Sequence, residues 1–395
     1  MDVRERQREL GDRLELGEVL GVPILRSTPI QVVWLLERPV DVEQLEMFRF
    51  NLIQGPLSRR LASARVPGAR PFWLPSDDAF PLVIDREQVP AETVMHWADR
   101  QAAVEVDVTG RGWSLATAPV DDGTSVVSFV VSHAITDGRG ALAALESAAI
   151  RERSHDVPLR RPSLGADLAD AAKFGPQLLS SLAVAQLGRL RSLSGKGASD
   201  VVVPSAMAFA LDTEQLRAAA SVHGGTATGL LSAAVANLVR TVRDWPTSAI
   251  RIAIPVSRRA AGDRAAGNQV AMAEVVLHMP RGGRYQDLAE FRRLGKAAYA
   301  SATPRLPPQE TDVLVSNPGT MPESVVDVAG RSRMVFVRSV QIVPKYFEKI
   351  AMAFTIKAGN RTFVTIRPPL GGVFTVEDVR AEMKEWGLTP DMIIG

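Results

Sequence analysis

The chain has 395 residues, 46% of them hydrophobic and 23% charged, with a formal net charge of +2. That length and apolar content suit a soluble globular chain with a large buried core and about two domains. There is no cysteine, which excludes a disulfide framework, a thiol nucleophile and cysteine-ligated zinc or iron–sulfur centres, and fits a reducing cytoplasm.

The N-terminal "MDVRERQRELGDRLELGEVLG" is charged and lacks the apolar core of a signal peptide. "TPIQVVWLLER" then reads as a strand, and "DVEQLEMFRFNLIQ" as a helix with Asp41 as N-cap. The basic stretches "SRRLASAR" and "GRLRSLSGKG" are short and not interleaved with aromatics, so they are expected to be solvated faces and not a nucleic-acid surface. "TSVVSFVVSH" is a β-branched run of buried-strand type, and "ALAALESAAI" a strong helix former.

Residues 166–203 are expected to form a helical connector between an N-terminal unit, 1–165, and a C-terminal unit, 204–395. Its apolar stretch "FGPQLLSSLAVAQLGRL" falls short of the roughly 20 apolar residues a membrane span needs. A helix packed between the domains is the simpler reading, with an acyl tunnel wall or a membrane-surface contact as alternatives. The second half alternates again. "MAFALDTEQLRAAASVHG" is a strand and a helix, and "TATGLLSAAVANLVRTVRDW" a further helix. Strands are expected in "AIRIAIPVS", "QVAMAEVVLHMP", "TDVLVSN", "RMVFVRSVQIVP", "AMAFTIKAG" and "RTFVTIRPP". "TVEDVRAEMKEWG" is a helix capped by Thr375, with Asp378 three residues on. The pattern is that of two α/β halves.

Several motifs are missing. There is no G-x-S-x-G elbow, no Walker A loop, no G-x-G-x-x-G after a strand and no H-E-x-x-H. The five histidines, His96, His133, His155, His223 and His278, are far apart, so no metal site is expected. What stands out is "VVSHAITDG", residues 130–138, where His133 follows a buried strand and Asp137-Gly138 opens a turn. Strict alternation sets His133 on the face of Val127, Phe129 and Val131. Two readings stay open on composition: a neutral imidazole acting as a base near pH 7, or a core histidine with Asp137 capping the next helix.

"SHAITDG" after an apolar strand resembles the H-x-x-x-D-G motif of the chloramphenicol-acetyltransferase-like superfamily, which includes condensation domains and the wax ester synthase/diacylglycerol acyltransferases. "STPIQVVWLLERPVDVEQLEMFR", "RRLASARVPGARPFWLP", "HGGTATGLLSAAVANLVR", "IAIPVSRRAAGDRAAGNQV" and "VLVSNPGTMP" resemble further segments of the last group, in the same order. The chain departs from that pattern in Ser132, which stands where many relatives have a first histidine, in Pro318 directly after Asn317, and in "TATGLL", which lacks an Asn-Asp pair.

The resemblance implies an α/β fold of two chloramphenicol-acetyltransferase-like domains, each a mixed sheet with flanking helices, set in a V with a tunnel at the interface. It implies an O-acyltransferase of the cytoplasm, moving an acyl group from acyl-CoA or an acyl carrier protein to a small-molecule or lipid hydroxyl. His133 is then the general base, with Ser132 and the Gly138 backbone as oxyanion support. Asp137 is structural and pairs with Arg259, or else Arg258, while Ser316 and Asn317 line the tunnel. No metal and no tightly bound cofactor is expected; the coenzyme A or phosphopantetheine thioester is a cosubstrate. Amide formation on carrier-bound substrates and a non-catalytic recruitment module of the same fold are the alternatives.

Overall fold

The computed structural model describes residues 28–152, 160–177, 206–242, 249–260, 267–279, 283–303, 310–327, 334–341 and 348–394, with Arg13, Leu14, Val19, Val22 and Leu25. The first half runs β1 (Ile30–Leu36), α1 (Val42–Ile53), β2 (Arg59–Ala62), β3 (Phe72–Pro75), β4 (Val83–Ile84), α2 (Val94–Ala102), β5 (Trp113–Pro119), β6 (Ser125–Val131) and α3 (Gly138–Ala149). Helix α4 covers residues 164–177. The rest of the expected connector, 178–203, lies outside the described residues. The second half runs β7 (Met207–Asp212), α5 (Thr213–Val222), α6 (Ala227–Val242), β8 (Ala249–Ser257), β9 (Val270–His278), α7 (Leu288–Ala300), β10 (Val313–Thr320), α8 (Glu323–Val326), β11 (Met334–Gln341), β12 (Ala351–Ala358), β13 (Arg361–Arg367), α9 (Val376–Glu385) and β14 (Asp391–Ile394).

The helix ends follow their capping chemistry. Asp41 accepts from the N–H groups of Glu43 and Gln44, and Thr375 and Asp378 form a reciprocal capping box. The strands form a five-stranded sheet ordered β11-β1-β6-β5-β4, a seven-stranded sheet ordered β14-β7-β13-β12-β10-β8-β9, and the β2-β3 hairpin. Strand β6 is buried along its whole length because both faces are covered. Val127, Phe129 and Val131 pack on α1 and α3 residues such as Phe48 and Leu145. Val126 joins Trp97 of α2 on the other face. That double burial is why its sequence reads as a continuous apolar run.

The sheet of the first half borrows β11 from the second. β11 pairs antiparallel with β1 from Ile30↔Gln341 to Leu36↔Met334. Buried Arg338 of β11 donates to Gln31 Oε1 at 3.0 Å and to Asp99 at 2.6 Å. Gln31 in turn donates to Ser128 Oγ and to the Ala98 carbonyl. A hydrophobic cluster continues from Trp34 and Phe129 into Ala208, Ile356 and Phe363 of the second sheet. The second sheet has its own core on the opposite side, built around Leu230, Val235, Ile252 and Val364.

One basic stretch departs from expectation. Arg59 of "SRRLASAR" is buried, with its guanidinium carbon 4.2 Å from the Trp73 ring centroid. It donates to the Ile135 carbonyl. Stacking on the indole and that carbonyl offset part of its desolvation. The other stretch, "GRLRSLSGKG", lies outside the described residues. No described helix is long and apolar enough to cross a membrane.

Helix α4 docks on the β2-β3 hairpin through buried ion pairs. Asp170 accepts from Arg70 at 2.7 Å and Asp167 from Arg13 at 2.5 Å. Arg70 also lies over the Phe174 ring, 3.9 Å from its centroid. Burial acts to raise the pKa of both carboxyls, but the hydrogen bonds from Arg13, Arg70 and the backbone N–H groups of Arg65 and Arg70 outweigh it and hold both below the usual aspartate value.

Because the folded values lie below the unfolded one, near about 3.9, the stabilisation is complete above that pH and is lost as pH falls through the folded values. Asp170→Ala leaves Arg70 buried without its carboxylate and is expected to cost about 3–5 kcal/mol. Urea denaturation at neutral pH measures this, and the gap from the parent protein is expected to narrow towards pH 2. A variant as stable as the parent would show that the pair does not anchor α4.

Candidate functional site

The chain leaves β6 at Val131 and turns at once. Ser132 to Ile135 form a tight turn, closed by the Ile135 N–H donating to the Ser132 carbonyl at 3.0 Å. The alternation of the strand therefore stops before His133, and the imidazole leaves the apolar face expected for it. The Ser132 N–H donates to the Gly112 carbonyl at 2.9 Å, which holds the start of the turn. A Cβ on Gly112 would lie 1.9 Å from Ile135 Cδ1, so any other residue there would force the Ile135 side chain to move. Arg59 braces the same turn at the Ile135 carbonyl.

The second half reaches over to meet the turn. The segment after β8 brings in Arg259, and Gly267, Asn268 and Gln269 lead into β9. His133 Nδ1 and Asn268 Oδ1 are 3.0 Å apart. Asn268 Nδ2 donates to the carbonyls of His133 at 2.6 Å and Ala134 at 3.3 Å. Those two carbonyls can only accept, so they fix which end of the amide carries the NH₂. Oδ1 must then face Nδ1, and Nδ1 must carry the proton. The neutral ring is left with its lone pair on Nε2. Burial pushes the His133 pKa below its usual value, against smaller upward contributions from its own backbone, Asp137 and Asn268.

Asp137 is buried and faces the same segment. Its Oδ2 accepts from Arg259 Nη2 at 3.1 Å and from the Gln269 N–H at 2.8 Å. Its Oδ1 accepts from the Gly140 N–H at 2.8 Å, capping α3, and from Arg259 Nε at 3.4 Å. Arg259 Nη2 also donates to the Gly267 carbonyl at 2.6 Å. A Cβ on Gly140 would lie 2.5 Å from that Nη2 and 2.2 Å from Thr136 Oγ1, so the close approach of the guanidinium needs glycine there. Asp137 is thus both helix cap and partner of an arginine from the other half.

A cavity of about 390 Å³ opens beside this junction. The first half contributes Asp137, Gly138 and Arg139 to its lining; Ser316, Asn317, Pro318 and Gly319 come from the second. Asn317 donates to Thr228 Oγ1 at 3.2 Å and accepts from the Gly319 N–H at 2.9 Å, folding the segment around Pro318. Arg139 Nε donates to the Pro318 carbonyl at 3.2 Å.

The structure therefore sets His133 against Asn268 and Asp137 against Arg259 at the junction, and places Asp137, Gly138, Ser316 and Asn317 in the cavity lining, to which His133 and Arg259 do not contribute. Arg258 is exposed, although its backbone N–H donates to the Gln269 carbonyl. Ser132 is fully buried and does not line this cavity; its hydroxyl has no hydrogen-bond partner among the described residues. Asn268, Gln269, Gly140, Arg139 and Arg59 had no role assigned from sequence. Of these, Asn268 carried a signal, the Gly-Asn pair following "PVSRR".

The two-sheet architecture is that of condensation domains. The chain is similar to the first condensation domain of the calcium-dependent antibiotic synthetase in complex with a substrate analogue, with 15% identity, a TM-score of 0.62 and 94% of each chain covered. It is similar to polyketide synthase associated protein 5 from Mycobacterium tuberculosis, with 14% identity and a TM-score of 0.58 over 93% of this chain and 95% of that one. A variant of the starter condensation domain of rhizomide synthetase, in complex with C8-CoA, matches with 12% identity and a TM-score of 0.55 over 97% of this chain and 95% of that one. No protein-family model and no curated protein matches the chain.

Arg259→Ala is expected to lower stability by about 3–5 kcal/mol, since it strips the guanidinium from a buried carboxylate. Thermal melting checks it, and an unchanged melting temperature would show that the Asp137 contact does not tie the halves. Gly140→Ala is expected to destabilise through the same contact, by driving Arg259 off Asp137.

Proposed function

We propose that the protein is an acyltransferase whose base is His133, moving an acyl group from a thioester to an acceptor nucleophile. The donor is acyl-CoA or the phosphopantetheine arm of a carrier protein, and the acceptor is a hydroxyl, giving an ester. The observation that carries this reading is the clamp of Asn268 on His133. It sets the tautomer so that Nε2 is the free lone pair, and a part-buried ring with a lowered pKa stays neutral at pH 7. A recruitment surface needs no base, and the lone pair left on Nε2 is what a general base requires.

In the proposed reaction, Nε2 takes the acceptor's O–H proton as the oxygen attacks the thioester carbonyl carbon. The C–O bond forms and the carbonyl electron pair moves to oxygen. Collapse of the tetrahedral adduct breaks the C–S bond, and the leaving thiolate takes the proton back from Nε2. Gly138 is the first residue of α3, so its N–H has no intrahelical acceptor, and it lines the cavity. We assign that N–H to the developing oxyanion. Asp137 and Arg259 do not touch the reacting atoms in this scheme; they are positioning residues that hold the turn against the second half. An amine acceptor would use the same steps and give an amide. The solved neighbours in complex with C8-CoA and with a substrate analogue are in keeping with a thioester donor.

His133→Ala is expected to lower acyl transfer by about 10²–10⁴-fold while leaving the melting temperature near that of the parent. The assay is incubation with a panel of acyl-CoAs, acyl carrier proteins and alcohols, read by mass spectrometry. Turnover that survives the substitution would sink the general-base assignment. The depressed His133 pKa places the acid limb of kcat/KM below pH 6.5, with activity level across pH 7–8 and falling as Nε2 is protonated. A limb centred above pH 7 would contradict it. Asn268→Ala frees the tautomer and is expected to lower kcat more than it raises KM.

A further inference from the structure

The cavity beside the His133 turn has a chemistry of its own. Arg139 is exposed on its wall, one residue beyond Gly138. Its Nε donates to the Pro318 carbonyl, and among the described residues neither Nη group has a hydrogen-bond partner. Among the described residues no carboxylate pairs with it. Asp137, the acid in the same wall, is already taken up by Arg259, Gln269 and Gly140. The cavity therefore presents one uncompensated positive charge.

Four hydroxyl-bearing side chains share that lining, Thr228, Ser257, Tyr299 and Ser316. Thr228 Oγ1 accepts from Asn317 and so keeps its own proton to donate. Tyr299 also lines the cavity, and its phenol is a neutral donor near pH 7. The remaining wall is apolar where Ile254, Val256 and Val270 contribute. A guanidinium with neutral O–H donors on one side and branched aliphatics on the other suits an amphipathic ligand with an anionic end.

We infer that this cavity holds a phosphate or carboxylate group of one of the two substrates, with Arg139 as the residue that selects for the charge. The inference rests on the acyltransferase reading for what passes through the cavity, but not on His133 being the base. The ligand's apolar part lies along Ile254, Val256 and Val270. A phosphate would belong to the phosphopantetheine arm of the donor, and a carboxylate to the acceptor.

Direct binding separates the two sources without needing turnover. Titration calorimetry compares octanoyl-phosphopantetheine with octanoyl-pantetheine, and 10-hydroxydecanoate with 1-decanol, on the parent protein, Arg139→Gln, Arg139→Lys and His133→Ala. The parent is expected to bind the charged member of one pair about tenfold or more tightly than its neutral counterpart. Arg139→Gln is expected to lose that preference and keep the neutral affinity. Arg139→Lys should restore part of it, and His133→Ala should retain it.

Loss confined to the first pair identifies the donor phosphate; loss confined to the second identifies an acceptor carboxylate. Preference unchanged in Arg139→Gln overturns the inference, as does a parent protein that shows no preference in either pair. Transfer activity that survives His133→Ala would instead strike the general-base reading and leave the charge preference standing.

Discussion

One buried carboxylate ties the two halves of this protein together. Asp137 ends the turn that carries His133, opens α3, and accepts from Arg259 and Gln269 of the second half as well as from Gly140 of its own. A charged group this buried is tolerable only with such a set of donors. Everything near the site follows from that requirement. Arg259 must cross to reach it, Gly140 must be bare to let the guanidinium in, and Gly267 must offer its carbonyl to the same guanidinium. The segment that delivers Arg259 and Gln269 then sets Asn268 against His133.

The imidazole is therefore oriented by a side chain from the other half. His133 owes its place to the end of β6, but its tautomer to Asn268. Any shift between the halves would move the ring's partner before it moved the ring. A second buried polar chain follows the same logic. The Arg338–Gln31–Ser128 chain joins strands drawn from opposite ends of the sequence.

Much of the architecture was legible in the chain. The continuous apolar run of β6, the Asp41 and Thr375 caps and the strands of the second half appear where periodicity and capping chemistry set them. Short elements such as β4 and β14 were not legible, because two to four residues carry no period to read. Arg59 resembled a solvated cation until Trp73 and the Ile135 carbonyl were seen around it. In the site, the spacing of "SHAITDG" pointed to His133 and Asp137. The geometry around His133 did not follow the strand alternation, because the turn begins one residue before it. The role of Asn268 depends on a contact between residues 135 positions apart, which no local pattern encodes.

The pairing of β11 with β1 bears on how the chain is born. During synthesis, β1, β5 and β6 leave the ribosome long before residues 334–341 exist. Until then the β1 edge presents an open row of backbone donors and acceptors flanked by Trp34 and Leu36. Such an edge invites pairing with other chains. The first sheet is complete only once residues 334–341 have been translated, so completion of one half waits on the other.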